Sequence, residues 1–476
     1  MIEKPRIARQ RLAPKPGIVH LGLGAFSRSF VAPVVEDAVG ADGGDWGIIG
    51  ASLRSPDIRD RLEVQDFVYT AVEMAPTGQH GRILNVLSEV IFAPEAHDLL
   101  LLRMADPTTR IVSLTVTEKG YCYVPGAGAM DSDHPDVLHD IQSHVPRSAI
   151  GFIVRALEMR KQAGLRPFTV LSCDNLPNNG CVTRKVVIGL ARMIDPGLAA
   201  WIEDEVRFPS TMVDRIVPAT TPENIGGLAD DTNTVDEAPV FHEPFLQWVI
   251  EDSFVDNARP AFEKVDGVQI VRDVAPFELM KIRMLNGTHS ALAYLGYLAG
   301  HETIADTAAN PLFGKFIRSI WSREIIPTLE PPEGVDLERY ADDLFARYSN
   351  PAIRHRTWQI AMDGSQKLPQ RILGAVADNL TANRPCDGLF LAVAAWMRYV
   401  GGTDENGNPI DVRDPLSVRL RNLSNGAEGP DEAVDALLSV SEVFGSSVDP
   451  IIREGVLAAY RRLIAKGAEA SVGDVA

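Results

Sequence analysis

The chain has 476 residues, with 46 Lys and Arg against 64 Asp and Glu, giving a formal net charge of −18. A field of that sign opposes general binding to nucleic acid or to an anionic membrane, so an anionic substrate would need a local cationic pocket. Hydrophobic residues make up 45% and charged residues 23%, the proportions of a globular chain of two or three domains rather than a disordered one.

The opening MIEKPRIARQRLAPKPG lacks the apolar core of a secretory leader. The longest apolar stretch, residues 389–397, is too short to span a bilayer. Cys122, Cys173, Cys181 and Cys386 form no CxxC pair and read as reduced thiols. A cytoplasmic protein without membrane or nucleic-acid partners is expected, as a monomer or small homo-oligomer.

In chain order, residues 17–21 read as a short buried strand, followed by the turn Gly22-Leu-Gly-Ala25 and a helical stretch through Val31, Val34, Val35 and Val39. Further strands are expected at 46–53, 110–117 and 168–174, with an amphipathic helix at 148–164 ending at Gly164. This alternation predicts a parallel, doubly wound α/β sheet of Rossmann type. Residues 200–275 carry strand-like pieces at 212–218 and 268–274, and either bridge two domains or complete the sheet. From Pro276 onward helical periodicity dominates, with the first helix broken near Gly296 and Gly300. The expected organisation is a dinucleotide-binding domain at 1–275 and a mostly α-helical substrate and catalytic domain at 276–476.

Three segments carry chemistry. Gly22-Leu-Gly24-Ala-Phe26-Ser27-Arg28 follows a strand and opens a helix. Glycines there let the backbone approach a pyrophosphate, and the helix N-terminus offers free N–H groups. Ser27 takes the place of the usual third glycine, and the same residues also suit a plain strand-to-helix turn. Arg28 is a candidate for the diphosphate, or a solvated helix residue. Asp57 lies 33 residues after Gly24; it is a candidate for the adenosine ribose, or simply opens the helix after Ser55-Pro56.

In the second segment, Lys281, Asn286 and His289 are spaced five and three residues apart and can approach one helix face. Oxidising an alcohol needs a base for the O–H proton and donors for the developing alkoxide. A lysine among Phe277, Met280, Met284 and Leu285 can be that base if desolvation lowers its pKa. Glu278 would oppose that, or relay protons. The competing reading is a solvated Lys–Glu pair with a capping Asn. The third segment, Ser172-Cys-Asp-Asn175-Leu-Pro-Asn-Asn179-Gly180, ends a strand where open α/β sheets place ligands. Asn175 suits an oxyanion donor, or a polar turn. Thr115-Val-Thr117-Glu118 ends another strand at the same edge. His20 reads as a buried strand histidine; no metal-ligand spacing is present, and no metal is expected.

In this order, GxGxFxR, TVTEKGY, SCDNLxxNG, MVDRIxP and KxRxLNGxH resemble the polyol-specific long-chain dehydrogenases, the mannitol dehydrogenase family. The resemblance implies an NAD-dependent oxidoreductase with Lys281 as general acid or base and Asn175 and Asn286 as oxyanion donors. It further implies that His289 and Asp214 bind substrate hydroxyls, that Lys367 closes the far end of the site, and that Glu118 and Glu278 form a gate or proton channel. Gly22, Gly24, Phe26, Arg28, Asp57 and Thr117 would hold the dinucleotide. Four segments, SLTVTEKGYC (113–122), FLQWVIED (245–252), ALAYLGYL (291–298) and RHRTWQIAMDGSQKLPQR (354–371), are most similar to the hexuronate-reducing members. They imply D-fructuronate and D-mannonate as the substrate pair, with a neutral polyol such as mannitol as the alternative. A nucleotide-binding protein without turnover, a redox-state sensor, is the rival of another class. Polyol-oxidising members carry an arginine eight residues before the lysine of DGSxK; here Gln359 stands there. Gln359 and one of Arg354 or Arg356 are therefore expected at the substrate, an arginine with Lys367 meeting its carboxylate. The chain departs from the family at Ser27 and Phe30, where histidines are usual.

Overall fold

Adjacent residues along five strands, four of them predicted from the sequence, face two different cores, the arrangement of a sheet covered on both sides. The computed structural model describes residues 4–124 and 128–476. Its strands are Pro16–Leu21 (β1), Gly47–Ser52 (β2), Tyr69–Ala75 (β3), Gly78–Leu84 (β4), Leu87–Phe92 (β5), Ile111–Leu114 (β6), Tyr123–Val124 (β7), Ala129–Met130 (β8), Thr169–Ser172 (β9), Thr211–Asp214 (β10), Val240–His242 (β11), Gln247–Glu251 (β12) and Val268–Val271 (β13). The main sheet runs β5-β2-β1-β6-β9, parallel throughout. Val19, Ile49, Ile91, Val112 and Val170 face one core, packed under the helices Ala149–Gln162 and Asn179–Ile194. Ile18, Ile48, Val90, Ile111 and Leu171 face the other, under Val31–Asp42. The chain winds outward from β1 through β2 to β5, then returns to β6 and β9. The switch in direction therefore lies between β1 and β6, where ligands of such sheets sit.

The chain divides into two compact units, Met1–Ala275 and Pro276–Ala476. Residues 200–275 fold with the first unit as strands of two small sheets, β10-β12-β13 and β11-β3-β4. The hairpin β3–β4 was not visible in the sequence pattern. Five of the seven β4 residues, 78–82, are exposed, so it shows no apolar period. Strand 110–117 is shorter than expected because the backbone turns away at Thr115, after β6.

The second unit is helical. The helix Thr288–Leu298 runs straight through Gly296, contrary to the expected break. A Cβ at Gly296 would stand 2.3 Å from Thr307 Oγ1, so the glycine marks close helix packing rather than a stop; the chain turns only at Gly300, whose φ is +86°. Three helical stretches adopt the wider π register: Lys281–Gly287, Trp321–Ile325 and Pro369–Leu373. Among the described residues no helix is long and apolar enough to cross a membrane.

Candidate active site

In the first unit, the turn after β1 is shaped by steric necessity. Gly22 has φ of +88°, and a Cβ there would meet the Thr115 carbonyl oxygen at 2.2 Å. Only glycine lets β1 pass this close to the end of β6. His20 fixes the same junction: its Nδ1 pairs with Ser113 Oγ at 2.8 Å and its Nε2 with Thr115 Oγ1 at 2.9 Å, and Thr115 Oγ1 donates to the Gly22 carbonyl at 2.8 Å. Burial depresses the His20 pKa to about 3, so this histidine is a neutral strut, as its strand position suggested. Ser27 closes the turn on itself: the Gly24 N–H donates to Ser27 Oγ at 3.0 Å. The hydroxyl thus caps the helix Ala25–Ser29 where a third glycine is usual. Phe30, the other departure from the family pattern, is a fully buried core residue stacked on Phe26 at 4.9 Å.

A cavity of about 700 Å³ opens beside this turn, lined by Gly22, Gly24, Arg54, Asp57, Thr117 and Ser148 among others. Asp57 opens the helix Asp57–Glu63 and also lines the cavity. Phe26 and Arg28 are not on the cavity wall. The Arg28 guanidinium is turned into the fold, donating to the carbonyls of Gly24 at 3.2 Å and Ala238 at 2.5 Å. Its burial lowers its pKa to about 10. The helix begins directly after Gly24, so these side chains point to the core, and the expected diphosphate contact of Arg28 is corrected to a structural tie.

Asp174, passed over in the sequence reading, organises the far side. Its carboxylate accepts from Val116 N–H and Thr117 N–H at 2.9 Å each and from Tyr121 OH at 2.7 Å. Burial raises its pKa despite these bonds, which lower it. The clamp holds Thr117 at a φ of +64° and ties the backbone of Val116 and Thr117 to the residue that precedes Asn175. Glu118 and Asn175 are exposed. Asn179 ties this edge to β10: its Nδ2 donates to the Asp174 and Thr211 carbonyls at 3.0 and 2.9 Å. Asp214, at the end of β10, is 4% exposed.

In the second unit, Lys281 begins the π-helical segment and is buried. In an α-helix, residues five apart point about 140° away from each other. The i→i+5 register brings Lys281 and Asn286 onto one face. This register frees carbonyls, and side chains take them up. Met284 O accepts from Thr288 Oγ1 at 2.5 Å and Trp321 Nε1 at 3.0 Å. Leu285 O accepts from Tyr348 OH at 2.7 Å, and Asn286 O from Arg371 NH1 at 3.4 Å. Gly287 is needed because a Cβ there would stand 2.5 Å from the Arg371 carbonyl.

His289 follows on the next turn, buried, its ring 5.2 Å from Tyr348 and 5.0 Å from His355. Burial, then the charges of His355, Arg371, Arg347 and Lys367, hold its pKa well below the usual value. His355 is lowered to about 4 by burial and by Lys367. Lys367 donates to the carbonyls of Met362 and Ile360 at 2.5 and 3.3 Å. The structure thus gathers His289 and Lys367 with two residues the sequence reading left unassigned, His355 and Arg371. Arg356 is corrected. It and Arg354 are exposed on the surface, each 3.7 Å from Glu302. The backbone is extended here, Thr303 bridging to Arg356, so side chains alternate and His355 turns in where its neighbours turn out. Gln359 is exposed on the short helix Thr357–Ile360. Glu278 is half-buried one turn before the π segment. Among the described residues no three His, Cys, Asp or Glu side chains could hold a metal ion.

Residues 16–264 match the mannitol dehydrogenase Rossmann domain, and residues 273–463 match the mannitol dehydrogenase C-terminal domain. The chain belongs to the mannitol dehydrogenase family. It is an oxidoreductase of that family, with a Rossmann-type first unit. The chain is 47% identical to D-mannonate oxidoreductase of Escherichia coli, over 99% of this chain and 97% of that relative. It is 40% identical to mannitol 2-dehydrogenase of Aspergillus fumigatus, over 94% and 90%. Among solved structures it resembles Pseudomonas fluorescens mannitol 2-dehydrogenase in ternary complex with NAD and D-mannitol, with a TM-score of 0.85 and 36% identity over 99% of this chain and 96% of that one.

Proposed function

We propose that this protein is an NAD-dependent D-mannonate oxidoreductase, or fructuronate reductase, which interconverts D-mannonate and D-fructuronate. The observation that carries this reading is the pairing of cations with neutral imidazoles in the second unit. Lys367 and Arg371 lie close enough to His289 to depress its pKa. A sugar acid needs both kinds of group, since cations meet its carboxylate and neutral donors and acceptors meet its hydroxyls. The 47% identity to D-mannonate oxidoreductase supports the same substrate.

The cavity beside Gly22 suits a dinucleotide: a close backbone approach, a helix N-terminus at Gly24, and a carboxylate, Asp57, for a ribose diol. NAD held there by Gly22, Gly24, Asp57 and Thr117 would supply the hydride acceptor. In oxidation, Lys281 takes the hydroxyl proton, and in reduction it returns it. Asn286 and Asn175 donate to the oxygen as its charge develops. His289 and Asp214 bind neighbouring hydroxyls, Lys367 binds the carboxylate, and Glu118 and Glu278 pass protons toward solvent. Cytoplasmic location follows from the intracellular cofactor this reading requires.

The relatives that act on mannitol favour a second reading, a neutral polyol dehydrogenase. A screen of hexonates and polyols, followed by NADH absorbance, decides between them. D-Mannonate is expected to exceed D-mannitol in kcat/KM by at least about tenfold. Preference for mannitol would replace the first reading with the second, and NADH binding without turnover of any substrate would favour the sensor.

A further inference from the structure

Three imidazole nitrogens in the second unit are buried without a hydrogen-bonding protein group: His301 Nε2 and, on two rings in contact with each other, His289 Nε2 and His355 Nδ1. The rings of His289 and His355 stand edge to face, with centroids 5.0 Å apart and planes at 62°. Buried polar atoms of this kind are normally paired, and an orphan inside a polar cluster marks a place where another molecule's polar group belongs. Two such atoms on neighbouring rings point to one ligand that satisfies both.

We propose that His355 is a substrate-binding residue which, with His289, grips hydroxyls of the sugar-acid chain and so helps set specificity. This rests on the substrate reading above and extends it to a residue with no previous role. The chemistry selects hydroxyls. A neutral imidazole offers one donor and one acceptor, which is what a hydroxyl also offers. Both rings are kept neutral by burial and by the charge of Lys367, so they do not compete for the carboxylate. That group is left to the lysine and Arg371.

The fold holds His355 in place by its backbone. Its carbonyl accepts from Ile304 N–H at 2.9 Å, its own N–H donates to Ile353 O at 2.8 Å, and the next residue pairs with Thr303. The side chain is therefore aimed by an extended segment whose flanking arginines face outward to Glu302. His355 is not a metal ligand in this arrangement, since no third His, Cys, Asp or Glu completes a set among the described residues.

The test compares two variants in the holoenzyme. His355→Phe keeps a ring for packing and removes both nitrogens. His355→Asn places an amide atom near the Nδ1 position. With D-mannonate and saturating NAD, the Phe variant is expected to raise KM about tenfold, with kcat changed less than about threefold. The Asn variant should recover most of that loss, while NADH affinity and Tm stay at wild-type values in both. A KM within twofold of wild type in the Phe variant would overturn the proposal. So would equal losses in both variants accompanied by a lowered Tm, the signature of a structural role. If the wild-type protein turns over D-mannitol but not D-mannonate, the substrate reading falls. The same two variants assayed on D-mannitol then decide His355 by the same criteria. Wild-type protein inactive on both substrates would overturn both proposals.

Discussion

The turn at Gly22 and the segment around Lys281 both shape a polar surface for a small molecule, and they do so by different means. At Gly22 the decisive element is a missing side chain. The backbone reaches a conformation and a closeness to Thr115 that any Cβ would forbid. At Lys281 the decisive element is a set of added side chains. Thr288, Trp321, Tyr348 and Arg371 accept the cost of a wider helical register by bonding to three successive carbonyls. The first device is local and tolerates little change at one residue. The second is distributed over some ninety residues of chain, from Lys281 to Arg371, and should fail by degrees as its supports are removed.

The largest expected effect sharpens the chemical half of this contrast. Lys281→Ala should lower kcat by about 10²–10⁴, the usual worth of a positioned acid or base. NADH affinity, measured by fluorescence titration, should be unchanged, because Lys281 is not among the residues that line the cavity beside Gly22. A near-normal kcat at neutral pH would remove Lys281 from the reaction. Next, Lys367→Met should raise KM for D-mannonate about ten- to a hundredfold through loss of a charge-assisted bond, with D-mannitol turnover little affected. Equal losses on both substrates would show that Lys367 does not read the carboxylate.

Tyr348→Phe probes the distributed support itself. It strips the donor from the buried Leu285 carbonyl, at a cost of about 1–3 kcal/mol in stability. Thermal unfolding should show the loss, and kcat should fall several-fold as the π register relaxes, with NADH binding intact. A variant with wild-type Tm and kcat would mean that the register does not depend on this tyrosine. Asp57→Ala, on the other side of the comparison, should narrow the preference for NAD over NADP by several-fold, since a carboxylate repels a 2′-phosphate. An unchanged ratio would place the ribose contact elsewhere.

The smallest effect is a pH dependence. His242 lies outside both regions, and burial, followed by Arg215, lowers its pKa to about 4 from 6.5 in the unfolded chain. Between those values the unfolded state binds more protons, so stability rises with pH across this window. The contribution is complete above about 6.5 and is lost as pH falls toward 4. His242→Asn should flatten the fall of Tm over that range. An unaltered slope would assign the acid sensitivity to the other buried histidines, His20, His289 and His355.

The two regions also differ in how far the sequence disclosed them. The Gly22 turn, the parallel strands and the helix opening at Ser148 follow from local patterns that residue types encode directly. That Asp57 and Thr117 lie near that turn was legible for the same reason, since each follows a recognisable strand, and both line the cavity. The hairpin β3–β4 was not, because an exposed strand carries no apolar period. The π segment was not, because its register depends on Trp321, Tyr348 and Arg371, distant in the chain. His355 was hidden between two arginines that drew attention by their charge; only the alternation of an extended backbone separates the inward residue from the outward pair. Arg28 failed in the opposite sense: an arginine beside a phosphate-type turn suggested an anion contact, and the carbonyls of Gly24 and Ala238 claim its guanidinium instead.

The central claim is that this oxidoreductase reads a carboxylate at the end of a polyhydroxylated chain. The most direct measurement is NADH oxidation with D-fructuronate against D-fructose in one assay, the two differing at the terminal carbon, with the product identified by NMR. The account predicts rapid reduction of D-fructuronate to D-mannonate and at least about tenfold lower kcat/KM for D-fructose. Rapid reduction of D-fructose with no reaction of D-fructuronate would contradict it.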